Sequence, residues 1–239
     1  MNRIEDAERA VLCSLFRAWP EALVWIGGSV LHLLYASPRA SHDLDLARRR
    51  GDLPRAADAA GVVRAALDQV NLVLGTRLSA EVPSGPGKSI RVADDGVPSF
   101  TVDFSAISGH IGEVTTTVLA SVVGPQAVMV PTDSALLRLK LEALLLRRFL
   151  KAADVFDAWF LISRGVRLTP QQRRWLWDVI SPREIDWQKV ERRLAQLTAE
   201  RFLADLKRRL PAESLHGWNT ASAKAALDAV QALLRKVRR

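Results

Sequence analysis

Two aspartates, Asp43 and Asp45, form the clearest chemical motif in the sequence. Each is followed by a leucine, so acidic and apolar residues alternate. In a β-strand this alternation turns both carboxylates to one face of the sheet and both leucines to the other. The segment 100–104 repeats the pattern, with Asp103 between two apolar residues. If the two strands are neighbours, three carboxylates converge in an arrangement that suits Mg²⁺ or Mn²⁺, which bind through oxygen ligands and substrate phosphates.

A glycine turn between a predicted strand and a predicted helix is the second motif, formed by Gly27, Gly28 and Ser29. Free backbone N–H groups at a helix start attract phosphate, and Ser29 can add a hydroxyl donor. Each motif alone is weak evidence, since an Asp-x-Asp in a strand is more often an exposed edge or a turn. The combination of the two favours a site that binds phosphate and metal.

The elements that must position these residues change in character near Pro131. Before it, short β-like runs alternate with helical segments, which predicts a mixed domain over 1–131 with a largely antiparallel sheet. After Thr132, helical periodicity is almost uninterrupted, which predicts a helical bundle over 132–239. We expect an α+β fold with strands at 23–26, 43–47, 77–82, 90–93, 100–105 and 114–123. The expected helices are 4–18, 29–35, 56–74, 133–149, 152–163, 170–180, 187–197, 199–209 and 220–237.

The composition limits the classes of protein. A single cysteine, Cys13, excludes a disulfide framework, and no run approaches the roughly 18 apolar residues of a membrane span. We therefore expect a cytoplasmic protein with no membrane partner. The formal charge of +8 suggests a polyanionic partner such as nucleic acid, although an arginine-rich genome produces the same excess.

The long-range spacing of these motifs resembles one family. Gly27-Gly28-Ser29, thirteen residues, and then Asp43-Leu44-Asp45-Leu46, with Arg39 and Ser41 just before the acids, resemble the AbiEii/AbiGii abortive-infection toxins of the DNA polymerase β-like nucleotidyltransferase superfamily. The resemblance covers about residues 20–165. Its C-terminal part comprises Asp133, Lys140, Arg147, Lys151, Asp154 and Asp157. The pattern departs at Ala153, where relatives often carry a basic residue that Lys151 could replace.

The resemblance implies a role for each matching residue. Asp43 and Asp45 would hold two metal ions on an NTP, and Asp103 would share the catalytic ion and help to deprotonate the attacking hydroxyl. Lys140 would reach across a cleft that the helical domain completes and neutralise charge on the leaving pyrophosphate. The implied nucleotide-binding set is Gly27, Gly28, Ser29, Arg39, Lys140, Arg147, Lys151, Asp154 and Asp157. For the last two acids, pairing with nearby cations is an equally open interpretation.

The function that the resemblance implies is transfer of a nucleoside monophosphate to an RNA acceptor, the tRNA 3′ end in particular, which would block translation until a cognate antitoxin restrains the enzyme. Modification of a protein or a small molecule by the same site is one alternative, and a non-catalytic RNA-binding module is another. The basic clusters 207–209 and 235–239 favour RNA docking. Four C-terminal tryptophans, at positions 175, 177, 187 and 218, could lie in the core or belong to an RNA-docking surface, and the core is the favoured interpretation. His42 is expected near the substrate, and His32 is expected in the core or at an interface.

Overall fold

The computed structural model of the protein describes residues 3–49, 54–82, 89–105, 111–183 and 185–238. It divides into two compact units, of which the first comprises Met1–Ala36 and Ser41–Pro131 and the second Ser37–Ala40 and Thr132–Arg239. The division after Pro131 coincides with the change in sequence character. The short segment Ser37–Ala40, which the sequence places in the first domain, instead belongs to the helical unit. The segment 83–87, whose prolines and glycines predict a turn, lies outside the described residues.

A five-stranded mixed sheet forms the centre of the first unit, with the strand order β1-β2-β5-β4-β3. The strands β2 and β5 run parallel, and the other neighbouring strands run antiparallel. The sheet strands are β1 (Leu23–Ile26), β2 (Asp43–Arg48), β3 (Leu78–Glu81), β4 (Ser89–Asp94) and β5 (Val97–Ser105). The helices of this unit are α1 (Arg3–Ala18), α2 (Gly28–Leu33) and α3 (Ala56–Leu74). The predicted α+β class is confirmed.

Alternating residues decide which face of the sheet is covered. In β2, Leu44 and Leu46 are fully buried, and in β5, Val102 and Phe104 are buried on the same face. Helices α1 and α3 pack against each other, and they contact β5 and β4 respectively. The opposite face carries the polar residues of the same strands, as the period of two requires.

The segment predicted as one strand over 114–123 is the first half of a hairpin. Strand β6 (Val114–Leu119) ends early, and a turn with Gly124 at φ 95° leads into β7 (Gln126–Pro131), which the sequence analysis missed. The Ser121 hydroxyl donates to the Gly124 carbonyl at 2.8 Å and closes this turn. Val128 and Val130 are buried, and β7 packs against α1 and β1, so a short apolar run at the end of the unit completes its core.

The second unit is helical, as predicted. Its helices are α4 (Asp133–Leu146), α5 (Ala152–Ser163), α6 (Pro170–Ile180), α7 (Trp187–Gln196), α8 (Ala199–Lys207) and α9 (Thr220–Arg238). The Thr132 hydroxyl caps α4 by accepting from the Ala135 amide. Helix α4 ends three residues before the predicted boundary, so Lys140 and Lys151 do not share one continuous helix. None of the helices in the described ranges is long and apolar enough to cross a membrane.

Gly27 makes the turn from β1 into α2, and its backbone requires a glycine. Its φ of 89° lies in a region that residues with a Cβ atom rarely adopt. A Cβ atom added here would also collide with Oδ2 of Asp45 and would lie 3.1 Å from the Asp45 Cβ. The turn therefore lies directly against the Asp45 side chain of strand β2.

We predict that Gly27→Ala lowers the free energy of unfolding of the protein by about 1–3 kcal/mol, because the new methyl group combines backbone strain with the collision at Asp45. The matched control is Gly61→Ala within α3, where an added Cβ meets nothing within 4 Å. That substitution should be neutral or should stabilise the helix by up to about 1 kcal/mol. Urea unfolding followed by circular dichroism measures both changes, and equal stability of the two variants would contradict the close approach.

Candidate active site

The parallel pairing of β2 with β5 brings the predicted acids together. Asp45 lies directly opposite Asp103 in the register, and Asp43 lies opposite Thr101. All four residues point to the face of the sheet that lacks the buried leucines, since residues two apart in a strand share a face. Asp43 is exposed, whereas Asp45 and Asp103 are half-buried. The sequence pattern identified these three acids, but only the pairing of β2 with β5 shows that their strands are neighbours.

Two hydroxyl groups organise the acids. The Thr101 Oγ1 lies 2.9 Å from Oδ1 of Asp43 and 3.2 Å from Oδ2 of Asp103, so its single hydrogen can be donated to either carboxylate. The Ser89 hydroxyl donates to Oδ1 of Asp103 through a short hydrogen bond. Asp103 therefore accepts from Ser89 through Oδ1 and shares the Thr101 hydrogen with Asp43 through Oδ2. Both donors are neutral, so these contacts leave its negative charge uncompensated.

Sequence reasoning missed Ser89, Thr101 and Arg91 as members of this face. In the antiparallel pairing of β4 with β5, Ser89 lies opposite Asp103 and Arg91 lies opposite Thr101. Residues directly opposite each other in a ladder project to the same side, so Arg91 shares the face of the acids. Its side chain is exposed and forms no ion pair with a described residue. The alternating pattern of β4 was a usable signal, but its partner strand could not be read from the sequence.

The acidic face has the donor chemistry of a magnesium site. Carboxylate oxygens on neighbouring strands are ligands that Mg²⁺ accepts, together with water and phosphate oxygens. Within the described ranges, however, no group of three or more acidic, histidine or cysteine side chains is close enough to enclose a metal ion. The Thr101 hydroxyl instead lies between Asp43 and Asp103. The chemistry of these residues and their position on one face of the sheet therefore fit a divalent ion. In the conformation described, however, the three acidic side chains do not converge on one point as the sequence predicted.

Ser29 lies beneath the glycine turn rather than at its surface. It is fully buried, and its hydroxyl oxygen accepts a hydrogen bond from the Trp25 indole N–H at 2.9 Å. Trp25 is itself fully buried in β1. The serine thus anchors the turn to the core. In this conformation its hydroxyl is buried and is not exposed to contact phosphate as expected.

A buried glutamate orients the histidine that precedes the first acid. The Nδ1 of His42 lies 3.1 Å from Oε1 of Glu8, which is fully buried in α1. Burial raises the pKa of Glu8, and the hydrogen bond to Glu8 raises the pKa of His42. The His42 side chain is 45% exposed, and its expected position near the substrate stays a prediction. His32, with 15% of its side chain exposed, lies 3.2 Å from a Glu5 oxygen, which agrees with the expected interior position.

The second unit contains a buried ion-pair network centred on Asp157. Arg39 donates to both carboxylate oxygens, at 2.7 and 2.8 Å, and Lys140 approaches Oδ2 at 2.7 Å. All three side chains are nearly inaccessible to solvent. Burial alone would raise the pKa of Asp157, but the charges of Lys140 and Arg39 outweigh it and lower that pKa. The bidentate pair explains why the segment Ser37–Ala40 belongs to the helical unit.

Asp154 extends this network one turn along α5. Lys140 lies 3.7 Å from its Oδ1, and Arg147 forms a short hydrogen bond to its Oδ2. Three cations and two carboxylates therefore leave one surplus positive charge. Lys151, at the N-cap of α5, is exposed and outside this set of ion pairs. The structure thus brings together five of the six charged residues expected to bind nucleotide, and shows that the two acids hold cations.

The basic clusters predicted for RNA docking are partly neutralised. Arg208 and Arg209 both pair with Asp205, and Arg238 pairs with Glu191 and lies over the Trp187 ring. Arg239 lies outside the described residues. Among the tryptophans, Trp218 joins an aromatic cluster with Phe156, Trp159 and Phe202. None of the four tryptophans expected in the core is fully buried, since Trp175, Trp187 and Trp218 are half-buried. The expected core position is wrong for Trp177, whose neighbours Leu176 and Ile180 face inward and leave it 45% exposed.

We predict that Asp157→Asn lowers the free energy of unfolding of the helical unit by about 3 kcal/mol, because it leaves Arg39 and Lys140 buried with one carboxylate fewer. The matched control is Asp205→Asn in α8, whose carboxylate pairs with two largely exposed arginines. That change should cost less than about 1 kcal/mol. Urea unfolding measures both, and similar losses in the two variants would show that the network is not a main source of stability.

The raised pKa values of Glu8 and His42 predict the direction of a pH dependence. Both mean that the folded protein binds more protons than the unfolded chain, so the contribution of this pair to stability is full below the ordinary pKa values of 4.5 and 6.5 and falls over the pH range above them. Glu8→Gln removes a titrating group and should flatten the decline. Glu21→Gln, at an exposed carboxylate paired with Arg49, should leave it unchanged. Urea midpoints measured across this range test the prediction, which fails if wild type and Glu8→Gln show the same slope.

Comparisons with known proteins show which family the chain belongs to. A crystal structure of JHP933 from Helicobacter pylori has a TM-score of 0.56 and 16% identity, covering 98% of this chain and 91% of that one. A "putative nucleotidyltransferase" from H. pylori has a TM-score of 0.60 and 17% identity, covering 98% and 95%. These likenesses show a shared fold, and no curated protein matches the sequence. The family model for the nucleotidyl transferase AbiEii toxin of type IV toxin–antitoxin systems matches residues 11–230, and the chain therefore belongs to that family of nucleotidyltransferases.

Proposed function

We propose that this nucleotidyltransferase transfers a nucleoside monophosphate from an NTP to the 3′ end of an RNA, with tRNA as the acceptor, and that the reaction depends on Mg²⁺ or Mn²⁺. The observation that carries the proposal is the register that sets Asp45 opposite Asp103, with Asp43 on the same face of the sheet. Such a face concentrates negative charge beside a glycine turn, and a divalent ion bound with a triphosphate would neutralise it.

The acidic face supplies the groups that the transfer needs. Asp43, Asp45 and Asp103 would hold the divalent ions, which supply Lewis-acid polarisation of the phosphate oxygens. The acceptor hydroxyl oxygen forms a bond to the α-phosphorus, the bond from that phosphorus to the bridging oxygen breaks, and pyrophosphate leaves. Asp103 accepts the hydroxyl proton. Thr101 and Ser89 keep the Asp103 carboxylate in place through its two oxygens.

Phosphate binding would fall to the glycine turn of the first unit, and the family resemblance gives Lys140 of the second unit a further role. The amides of Gly27 and Gly28 would donate to phosphate oxygens, while Ser29 supports the turn through Trp25. Lys140 remains the candidate for neutralising the leaving pyrophosphate, and the one surplus positive charge of its network supports that role. Arg39 and Asp157 would hold Lys140 in position, since Asp157 binds both cations.

The RNA acceptor is supported by the net charge of +8, and an antitoxin partner by membership of a type IV toxin–antitoxin family. Transfer to a protein or a small molecule is the alternative that the same acidic face would serve. A non-catalytic module is disfavoured, because clustered carboxylates held in place by hydroxyl groups are costly to keep where no cation is bound.

We predict that Asp45→Asn and Asp103→Asn each lower the rate of transfer by about a thousandfold, because loss of a metal ligand removes several kcal/mol of transition-state stabilisation. The assay incubates the protein with total tRNA, Mg²⁺ and each of the four α-labelled NTPs in turn, and counts label in the RNA. The fold should remain intact, since the substitution relieves repulsion between carboxylates.

The matched control is Asp58→Asn in α3, which makes the same chemical change at a half-exposed carboxylate paired with Arg55. It should retain the wild-type rate. Undiminished labelling in both active-site variants would remove the metal site from the proposal. Labelling of protein or of a small metabolite, with RNA untouched under every NTP, would exclude the RNA acceptor and leave the transferase chemistry standing.

A further inference from the structure

An exposed tryptophan lies beside two arginines on α6. Trp177 follows Arg173 by four positions and Arg174 by three, so all three side chains are neighbours on the helix surface. Neither guanidinium is ion-paired with a described residue. An indole with 45% exposure next to two uncompensated cations is unusual, because tryptophan is normally well buried.

These residues line a cavity of about 450 Å³. Its apolar wall is formed by the buried Leu168 and by Val237 of α9, and Pro170 completes the lining. The volume falls in the range of ligand pockets, and the pocket combines an aromatic face, aliphatic walls and positive charge. A ligand that fits this chemistry has a flat, uncharged face and a neighbouring anionic group.

A second groove, between α7 and α9, also combines a tryptophan with arginine, but its groups are paired within the protein. It is lined by Trp187, Glu191 and Arg238 among others, and its volume is about 250 Å³. There the arginine is paired with Glu191 at 3.0 Å and lies over the Trp187 ring. Arg238 is therefore already paired, and the Trp187 ring is already covered by it. The arginines beside Trp177 have no such ion pair with a described residue, and the Trp177 ring is exposed.

We propose that Trp177, Arg173 and Arg174 form a docking platform for an unpaired nucleotide of a single-stranded RNA segment, an inference that rests on the RNA acceptor proposed above. The base stacks on the Trp177 indole against the wall formed by Leu168 and Val237. Arg173 and Arg174 pair with the phosphates on either side of that nucleotide. Stacking of this kind tolerates any base, because each has a π-face, so the platform contributes affinity without sequence preference.

The experiment measures binding of a fluorescein-labelled, mixed-sequence single-stranded RNA by fluorescence anisotropy, without NTP or added metal. Trp177→Ala should weaken binding about tenfold, and Trp177→Phe should restore most of the loss, because a phenyl ring still stacks. Binding of a duplex RNA of the same length should change little, since paired bases offer no free face. Trp177 is exposed, so these substitutions leave the core of the unit intact.

The arginines are tested by the salt dependence of binding. Arg173→Gln with Arg174→Gln should reduce the slope of log affinity against log salt by about 1.4, which corresponds to two phosphates on a single strand. The matched control, Arg208→Gln with Arg209→Gln, removes the same formal charge from arginines that pair with Asp205, and should change the slope less.

Wild-type RNA affinity in Trp177→Ala would overturn the platform, and so would equal salt-dependence slopes in the two double variants. Either result is also what is expected if this cavity binds a protein instead of RNA. The outcome is separable from that of the proposed function. RNA that binds through Trp177 but receives no nucleotide would contradict the transfer reaction alone. Transfer to RNA with unchanged binding by Trp177→Ala would contradict the platform alone.

Discussion

The parallel pairing of β2 with β5 is the constraint on which the site depends. It is the one parallel pair among the described strands of the sheet, and its register sets Asp45 against Asp103. A shift of one residue would turn one of these acids into the core and a leucine or phenylalanine into solvent. The apolar residues that alternate with the acids therefore fix the register, and burial of Leu44, Leu46, Val102 and Phe104 holds the carboxylates together against their repulsion.

The second unit meets the opposite electrostatic problem. Its buried cations, Arg39 and Lys140, would be costly without a partner, and Asp157 compensates both through hydrogen bonds of ordinary length. In the first unit Asp43 and Asp103 lie within hydrogen-bond distance of neutral hydroxyl groups, whereas the network of the second unit has one surplus positive charge.

Much of this could be predicted from the sequence where local pattern decides the structure. The alternation in β2, the helical period of α3 and the glycine turn were sufficient, because each depends on residues close together in the chain. Strand β7 was missed, since six residues ending in proline resemble a loop until their pairing with β6 is known. The contacts of Ser89 and Thr101 with the acids depend on the register between strands, which local spacing does not give. Trp25 and Ser29 are only four residues apart, but their full burial depends on the packing of the core around them.

The central claim is that the acids of β2 and β5 bind a divalent ion together with an NTP. Electron paramagnetic resonance of Mn²⁺, titrated into the protein with a non-hydrolysable NTP analogue, measures this directly and does not depend on any acceptor. We expect saturable binding in the wild type that is strongly weakened in Asp103→Asn and unchanged in Asp58→Asn, whose carboxylate lies on α3. Equal Mn²⁺ affinity in wild type and Asp103→Asn would contradict the claim.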